Sequence, residues 1–356
     1  MTAVYLEGPS YAGKPTKFFA FYGLPEKTRG RKVPGIVLVH GAGGTAFAEW
    51  VRLWTSRGYA AIAIDHSGHV PIFKDKTWQK NPEAGPPLNQ PDAGQAKEEQ
   101  WMYHAVADSM LAVSFLQSLP EVDPERIGVT GISWGGVVAA VQAGVDDRLK
   151  FVVPVYGCGY ISEESTDGSL MLKHLAPEAL TRWRAKWDPA NYLAKAEMPM
   201  LWLTGSNDAF FTLQSIQRSS QTAAGPQALS IHLRMIHGHG GHGENPEEIH
   251  AFADSVVNGG KSLPAVTKQG HDAKQAWVSY DSKTRIIKAE LEYTTDQGNW
   301  QDRNWQTASA KVDTTSKRVT ADIPAGTTNY FFNLIDDRDL IVSSPHVVLV
   351  PPPTSP

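Results

Sequence analysis

Six consecutive residues, Gly131-Ile132-Ser133-Trp134-Gly135-Gly136, contain the pattern G-x-S-x-G. In that pattern a serine sits at the tip of a sharp strand-to-helix turn, with its hydroxyl aimed away from the sheet. Side chains at the flanking positions would collide there, and Gly131 and Gly135 remove them. The bare pattern recurs by chance, so its surroundings decide. Residues 127–129 read as the start of a buried strand and 134–145 as a helix, which is the setting the pattern requires. The competing reading is a tight turn in which Ser133 only caps the helix.

A serine hydroxyl attacks a carbonyl only when a base takes its proton, and the base needs an acid to orient it. On this kind of turn the acid and then the histidine follow the serine in the chain. Asp208 lies just past the apolar run Met200-Leu201-Trp202-Leu203, where residues leaving a parallel strand face the crevice. It could instead cap a helix starting near Phe211. The segment His237-Gly238-His239-Gly240-Gly241-His242 offers three imidazoles. His239, with glycine on each side, is the expected base; His237, nearer the strand, is the alternative, and His242 lies further out. An oxyanion needs about two N–H donors. The amide of Trp134 is one, and the loop His40-Gly41-Ala42-Gly43-Gly44 should supply the other from Ala42, with Gly43 as the alternative.

The elements that must hold these groups alternate. Short apolar runs at 35–39, 59–64, 151–156, 200–203 and 229–236 read as buried strands, and 46–55, 101–119, 211–222 and 246–257 as helices. That is a mostly parallel sheet covered by helices, an α/β fold. Residues 17–22 add a strand, and 123–126 read as a turn. Two long excursions, 66–94 and 157–196, interrupt the alternation, the second with a helix expected around 170–175. After Asn258-Gly259-Gly260 only strand-like segments follow, at 285–295, 318–323, 329–335 and 345–350. Residues 1–264 are therefore expected to form the catalytic domain and 265–356 a small β-sandwich, with an extended tail at Pro351-Pro352-Pro353.

Composition removes other classes. A formal net charge of −4 with no basic, aromatic-interleaved cluster argues against nucleic acid. A single cysteine, Cys158, excludes an internal disulfide framework and a cysteine-rich zinc site; it reads as a small buried hydrophobe. No run of about 18 apolar residues is present to span a membrane. Met1-Thr2-Ala3-Val4-Tyr5 does not read as a signal peptide, and the compartment is left open, export included. Asp65-His66-Ser67-Gly68-His69 with the later histidines could be taken for metal ligands, but the spacing is wrong for a helical zinc motif; no metal and no cofactor are expected. Asp336, Asp337 and Asp339 read as a polar turn rather than a calcium loop. Trp78, Trp101, Trp134, Trp183 and Trp187 are expected either to line a pocket or to seal the excursions.

Taken together, His40-Gly41-Ala42-Gly43-Gly44, the serine turn, Val155-Tyr156-Gly157-Cys158-Gly159 and Gly205-Ser206-Asn207-Asp208 resemble the acetyl xylan esterase and dienelactone hydrolase-related branch of the α/β-hydrolases. The resemblance covers nearly the whole chain, including the C-terminal sandwich. It implies Ser133 as nucleophile, Asp208 as acid and one of His237 or His239 as base. The dienelactone hydrolase pattern has cysteine where this chain has Ser133, which favours ester cleavage over lactone opening. The expected activity is cleavage of a short acyl ester, acetyl above all, on a small molecule or carbohydrate. The alternatives are a small-peptide serine hydrolase and an inactive hydrolase fold used for binding.

Overall fold

The computed structural model describes residues 1–26, 30–88, 94–161, 172 and 175–349. The chain opens with a hairpin, β1 (Thr2–Tyr11) and β2 (Lys14–Gly23), turned by Ala12 and Gly13, both at positive φ. Then follow β3 (Val33–Val39), α1 (Ala48–Ser56) and β4 (Ala60–Ile64). A small hairpin, β5 (His69–Lys74) and β6 (Thr77–Lys80), occupies the first excursion. Beyond it come α2 (Trp101–Ser118), β7 (Val122–Ile132), α3 (Trp134–Ala143) and β8 (Phe151–Val155). The second excursion contains α4 (Pro177–Trp187), and the set closes with β9 (Met200–Gly205), α5 (Leu213–Thr222), β10 (Gln227–His232) and α6 (Glu247–Val257).

Among the described residues all of these strands except the β5–β6 pair form one sheet, in the order β1-β2-β4-β3-β7-β8-β9-β10. From β4 to β10 every neighbouring pair is parallel, while β2 runs antiparallel to both β1 and β4. Each of β3, β4, β8 and β9 is buried along its whole length, as strands covered on both faces must be. This is the α/β-hydrolase sheet. One face packs on α2 and α3 through residues such as Val113, Leu116, Val137 and Val141; the other packs on α1 and α6 through Trp50, Trp54, Ile249 and Phe252.

Several readings of the sequence change. Residues 123–126 are not a separate turn but the irregular start of β7, where the register against β3 shifts. β10 ends at His232, so Ile236 and His237 stand in the loop beyond it. The helix of the second excursion lies at Pro177–Trp187, with Trp183 and Trp187 buried; the helix expected around 170–175 falls largely outside the described residues, as does the proline tail.

The C-terminal part is built of two antiparallel sheets. One runs β11 (Ala265–His271), β12 (Gln275–Asp281), then β16 (Arg318–Asp322) beside β15 (Lys311–Asp313). The other runs β14 (Gln306–Ser309), β13 (Ile286–Thr294), β17 (Asn329–Asp336) and β18 (Ile341–Ser343), with β19 (Val347–Val348) also on β17. Val278, Leu291, Val319, Phe332 and Leu334 form the core between them. This part is tied to the larger sheet. Ile231 N–H of β10 donates to Ser343 Oγ (2.8 Å), Asn333 Nδ2 donates to Ile231 O (3.2 Å), and Leu213, Ile231, Trp300, Trp305 and Phe331 share one apolar cluster. The Asp336 carboxylate accepts from Thr284 and Arg338, which makes that turn a structural one.

Below the loop that leaves β4, Asp108 of α2 is buried with one carboxyl oxygen lacking a hydrogen-bond partner. Burial, with the Asp65 carboxylate adding to it, pushes the Asp108 carboxyl well above the ordinary range. The folded chain therefore keeps a proton there that the unfolded chain releases above roughly pH 4, so the group favours the fold below that pH and opposes it as pH rises. Asp108→Asn, uncharged and of the same shape, should be more stable than wild type at about pH 7 and converge with it near pH 4. Urea unfolding at the two pH values measures this; a variant less stable at neutral pH would refute it.

Candidate active site

Ser133 stands between β7 and α3 with φ 56° and ψ −119°, a conformation a non-glycine residue holds only under constraint. Its amide donates to Val155 O (2.9 Å) and its carbonyl accepts from Val137 N–H (3.0 Å), so strand and helix pin the tip from both sides. The neighbouring backbone is too close for side chains. A Cβ at Gly131 would lie 2.0 Å from Gly135 O, one at Gly135 2.0 Å from Val39 O, and one at Gly157 2.4 Å from Ser133 O. The Ser133 side chain does not cap the helix. Its Oγ lies 2.9 Å from Nε2 of His237.

His237 is joined on its other side to Asp208, Nδ1 to Oδ2 at 2.7 Å. The order Ser133–His237–Asp208 thus joins the candidate nucleophile to its acid through the histidine that sequence reasoning ranked second. Asp208 is buried, and its other oxygen accepts from Phe210 N–H (2.8 Å) and Phe211 N–H (2.7 Å). It therefore organises the following turn as well as the imidazole; the cap of α5 is Thr212, which accepts from Ser215 N–H. Tyr156 and Phe210 pack against the His237 ring, with centroids 4.3 and 4.6 Å away. Burial holds the Tyr156 phenol well above its ordinary value, so it stays a donor, to Gly238 O at 2.6 Å, and fixes the loop next to the imidazole.

The structure gives His239, the expected base, partners other than Ser133. Its Nε2 accepts the Gly41 N–H (3.0 Å), which leaves the proton on Nδ1, 2.7 Å from Glu244 Oε1. An imidazole whose lone pair already receives a backbone amide has no free site for a serine proton. Burial alone would raise Glu244, but the bonds from His239 and from Gly241 N–H hold its carboxyl below the ordinary value. The Phe47 ring lies 4.6 Å from His239. His242 is exposed. Alternate residues of this loop thus face different partners: the first imidazole the serine, the second the loop after β3.

That loop is itself braced. His40 and His66 stack at 4.0 Å, His66 Nε2 donates to His40 O (2.7 Å), and burial with the neighbouring His40 lowers His66 to about 3, so it is neutral. Trp78 of β6 donates to Gly43 O (2.8 Å). Gly41, Ala42, Ser133 and Trp134 share a cavity of about 450 Å³ with Phe210, Phe211, His237 and His239. Ala42 is on its wall and Gly43 is not, and the Gly41 N–H is already given to His239. Trp134 is the first residue of α3, where helical N–H groups lack intrahelical partners. His239 also walls a second cavity of about 460 Å³ with Phe47, Trp50 and Leu53.

Of the other sequence candidates, Cys158 is buried, and Trp101 and Trp183 pack edge-on against Trp134 and seal its far side. Among the described residues no three His, Cys, Asp or Glu side chains are grouped to hold a metal ion. Glu244 was not singled out from sequence, and Tyr156 and Asn207 stood in quoted motifs without a role of their own. A carboxylate five residues after His239 was the one available signal for Glu244.

The sheet order, with a strained serine at the strand–helix turn and an imidazole–carboxylate pair beside it, is that of an α/β-hydrolase. The chain belongs to the dienelactone hydrolase family, whose model matches residues 18–258. Among curated sequences it is similar to putative hydrolase YtaP of Bacillus subtilis (strain 168), 30% identical over 149 residues, which are 38% of this chain and 46% of that one. It is also similar to acetyl esterase Axe7A of Xylanibacter ruminicola, 24% identical over 210 residues, 55% of this chain and 47% of that one. The chain thus spans about half the length of these relatives. A solved acetyl xylan esterase from Paenibacillus sp. R4 shares the fold, with TM-score 0.55 and 19% identity over 72% of this chain and 89% of that one.

The two histidines can be told apart without a substrate. Fluorophosphonates label only an activated serine. Labelling of Ser133 should be lost in His237→Gln and stay within about tenfold of wild type in His239→Gln, whose amide oxygen can still accept the Gly41 N–H. The reverse ranking, read by mass spectrometry of the labelled chain, would return the role to His239.

Proposed function

We propose that the chain is a serine carboxylic ester hydrolase, acting through an acyl-enzyme on esters of short acyl groups. The observation that carries this reading is the bonded series Ser133 Oγ–His237–Asp208. Ser133 attacks the ester carbonyl as His237 Nε2 takes its proton, and Asp208 holds the ring and stabilises the imidazolium. The amides of Trp134 and Ala42 receive the oxyanion. His237 then gives the proton to the departing alcohol. Water, deprotonated by the same imidazole, releases the acid and restores Ser133.

The substrate reading is an acetyl ester of a carbohydrate or other polar alcohol. Supporting it is the acetyl esterase activity in the name of one relative. Phe210 and Phe211 provide flat apolar walls beside Ser133 for such a ligand. No helix among the described residues is long and apolar enough to cross a membrane. Residues 1–264 carry the chemistry in this reading, and 265–356 form a second module that supplies no group to the reacting atoms.

Ser133→Ala should keep its fold by circular dichroism and lose at least about 10³-fold in kcat on p-nitrophenyl acetate. Near-normal turnover would end the serine reading and place the chemistry on another group. With one alcohol and increasing acyl length, kcat/KM should peak at two to four carbons, roughly, and fall by about eight. Acetate release from acetylated xylan or acetylated monosaccharides then tests the carbohydrate part; its absence, with good activity on simple acetates, would remove the sugar and keep the esterase.

A further inference from the structure

The residue before the acid is held by the other end of the chain. Asn207 Nδ2 points at three backbone carbonyls of the turn between β13 and β14: Arg303 O at 2.7 Å, Gln301 O at 3.2 Å and Trp300 O at 3.4 Å. Its own oxygen accepts from Ser206 Oγ (2.8 Å), and that hydroxyl in turn accepts from Arg234 N–H (3.1 Å). The Arg234 guanidinium donates to Trp305 O (2.5 Å). Ser206 and Asn207 lead directly into Asp208, and Arg234, at positive φ, leads into His237. One short segment, 300–305, therefore holds the approaches to both the acid and the base.

The segment is rigid enough to do so. Trp305 is buried against Phe331 and stacks near Trp300, and the Arg303 guanidinium lies over the Trp300 ring at 3.8 Å. An amide surrounded by carbonyl acceptors on one side and a hydroxyl donor on the other has only one satisfied orientation. Asn207 is held in place, and the backbone of Asp208, the next residue, is held with it.

We infer that Asn207 and Arg234 are positioning residues, through which the C-terminal module sets the Asp208–His237 geometry without touching substrate. This rests on the proposed Ser133–His237–Asp208 assignment. It makes the second module a working part of the site rather than a carrier. The physical demand is tight, because about 1 Å of misplacement in a reacting group lowers rate by about 10²-fold.

The test is a double-mutant cycle in the full chain. Asn207→Asp keeps the shape but replaces the donor by a carboxylate facing three carbonyls. It should lower kcat on p-nitrophenyl acetate by about 10- to 100-fold with KM within about twofold. In an Asp208→Asn background the same change should alter kcat by less than about twofold, because the geometry it sets no longer orients a carboxylate. Arg234→Gln, a milder change, should behave in the same way and serves if Asn207→Asp does not fold. Equal losses in both backgrounds would mean general destabilisation and overturn the inference, as would wild-type kcat in both single variants. If Asp208→Asn alone has no effect, the acid assignment itself falls, and that outcome is distinct from failure of the positioning role.

Discussion

Everything in the site hangs on one backbone constraint, the positive φ of Ser133 at the junction of β7 and α3. The conformation is unfavourable for serine, and it persists because its surroundings leave the chain no other path. Val155 O and Val137 N–H hold the tip from two elements, and Gly131, Gly135 and Gly157 allow backbone to approach where any Cβ would overlap it. The strain throws the hydroxyl out of the sheet and into the cavity. Only then do the strand ends of β9 and β10 matter, because their loops bring Asp208 and His237 to an oxygen whose place is already set.

Electrostatics follow the same economy. His237 has a carboxylate on one side and a hydroxyl on the other; His239, two residues on, has Glu244 and a backbone amide. Both imidazoles meet an acid, yet only one keeps a lone pair directed at the serine. Beneath them, burial keeps His66 neutral, and the loop after β3 rests on the stacked and hydrogen-bonded His40–His66 pair.

What could be read in the sequence was whatever local pattern determines. The strand–serine–helix turn, the parallel strands, the helices and the strand-only C-terminal part all have short-range signatures, and the place of Asp208 just past a strand end is one of them. The choice between His237 and His239 does not, because it depends on where β10 ends and on a partner, Gly41, nearly two hundred residues away. Flanking glycines favoured His239 in the sequence, whereas the structure ties that side chain at both nitrogens. Asn207 was equally silent. Its role depends on carbonyls, which every residue type carries, from a turn about ninety residues later.

The contact of β10 with the C-terminal module has a further meaning for the life of the chain. β10 is the last strand of its sheet, with β9 on one side and, on the other, Ser343 and Asn333 taking up the N–H and C=O of Ile231. A bare outer strand is a template on which foreign strands can add, and Ile231 with Leu229 would make it a sticky one. Nascent chains emerge N-terminus first, so the hydrolase sheet exists for a time before its cover does. The interval between translation of residue 232 and folding of residues 329–343 is the window in which this protein is exposed to self-association.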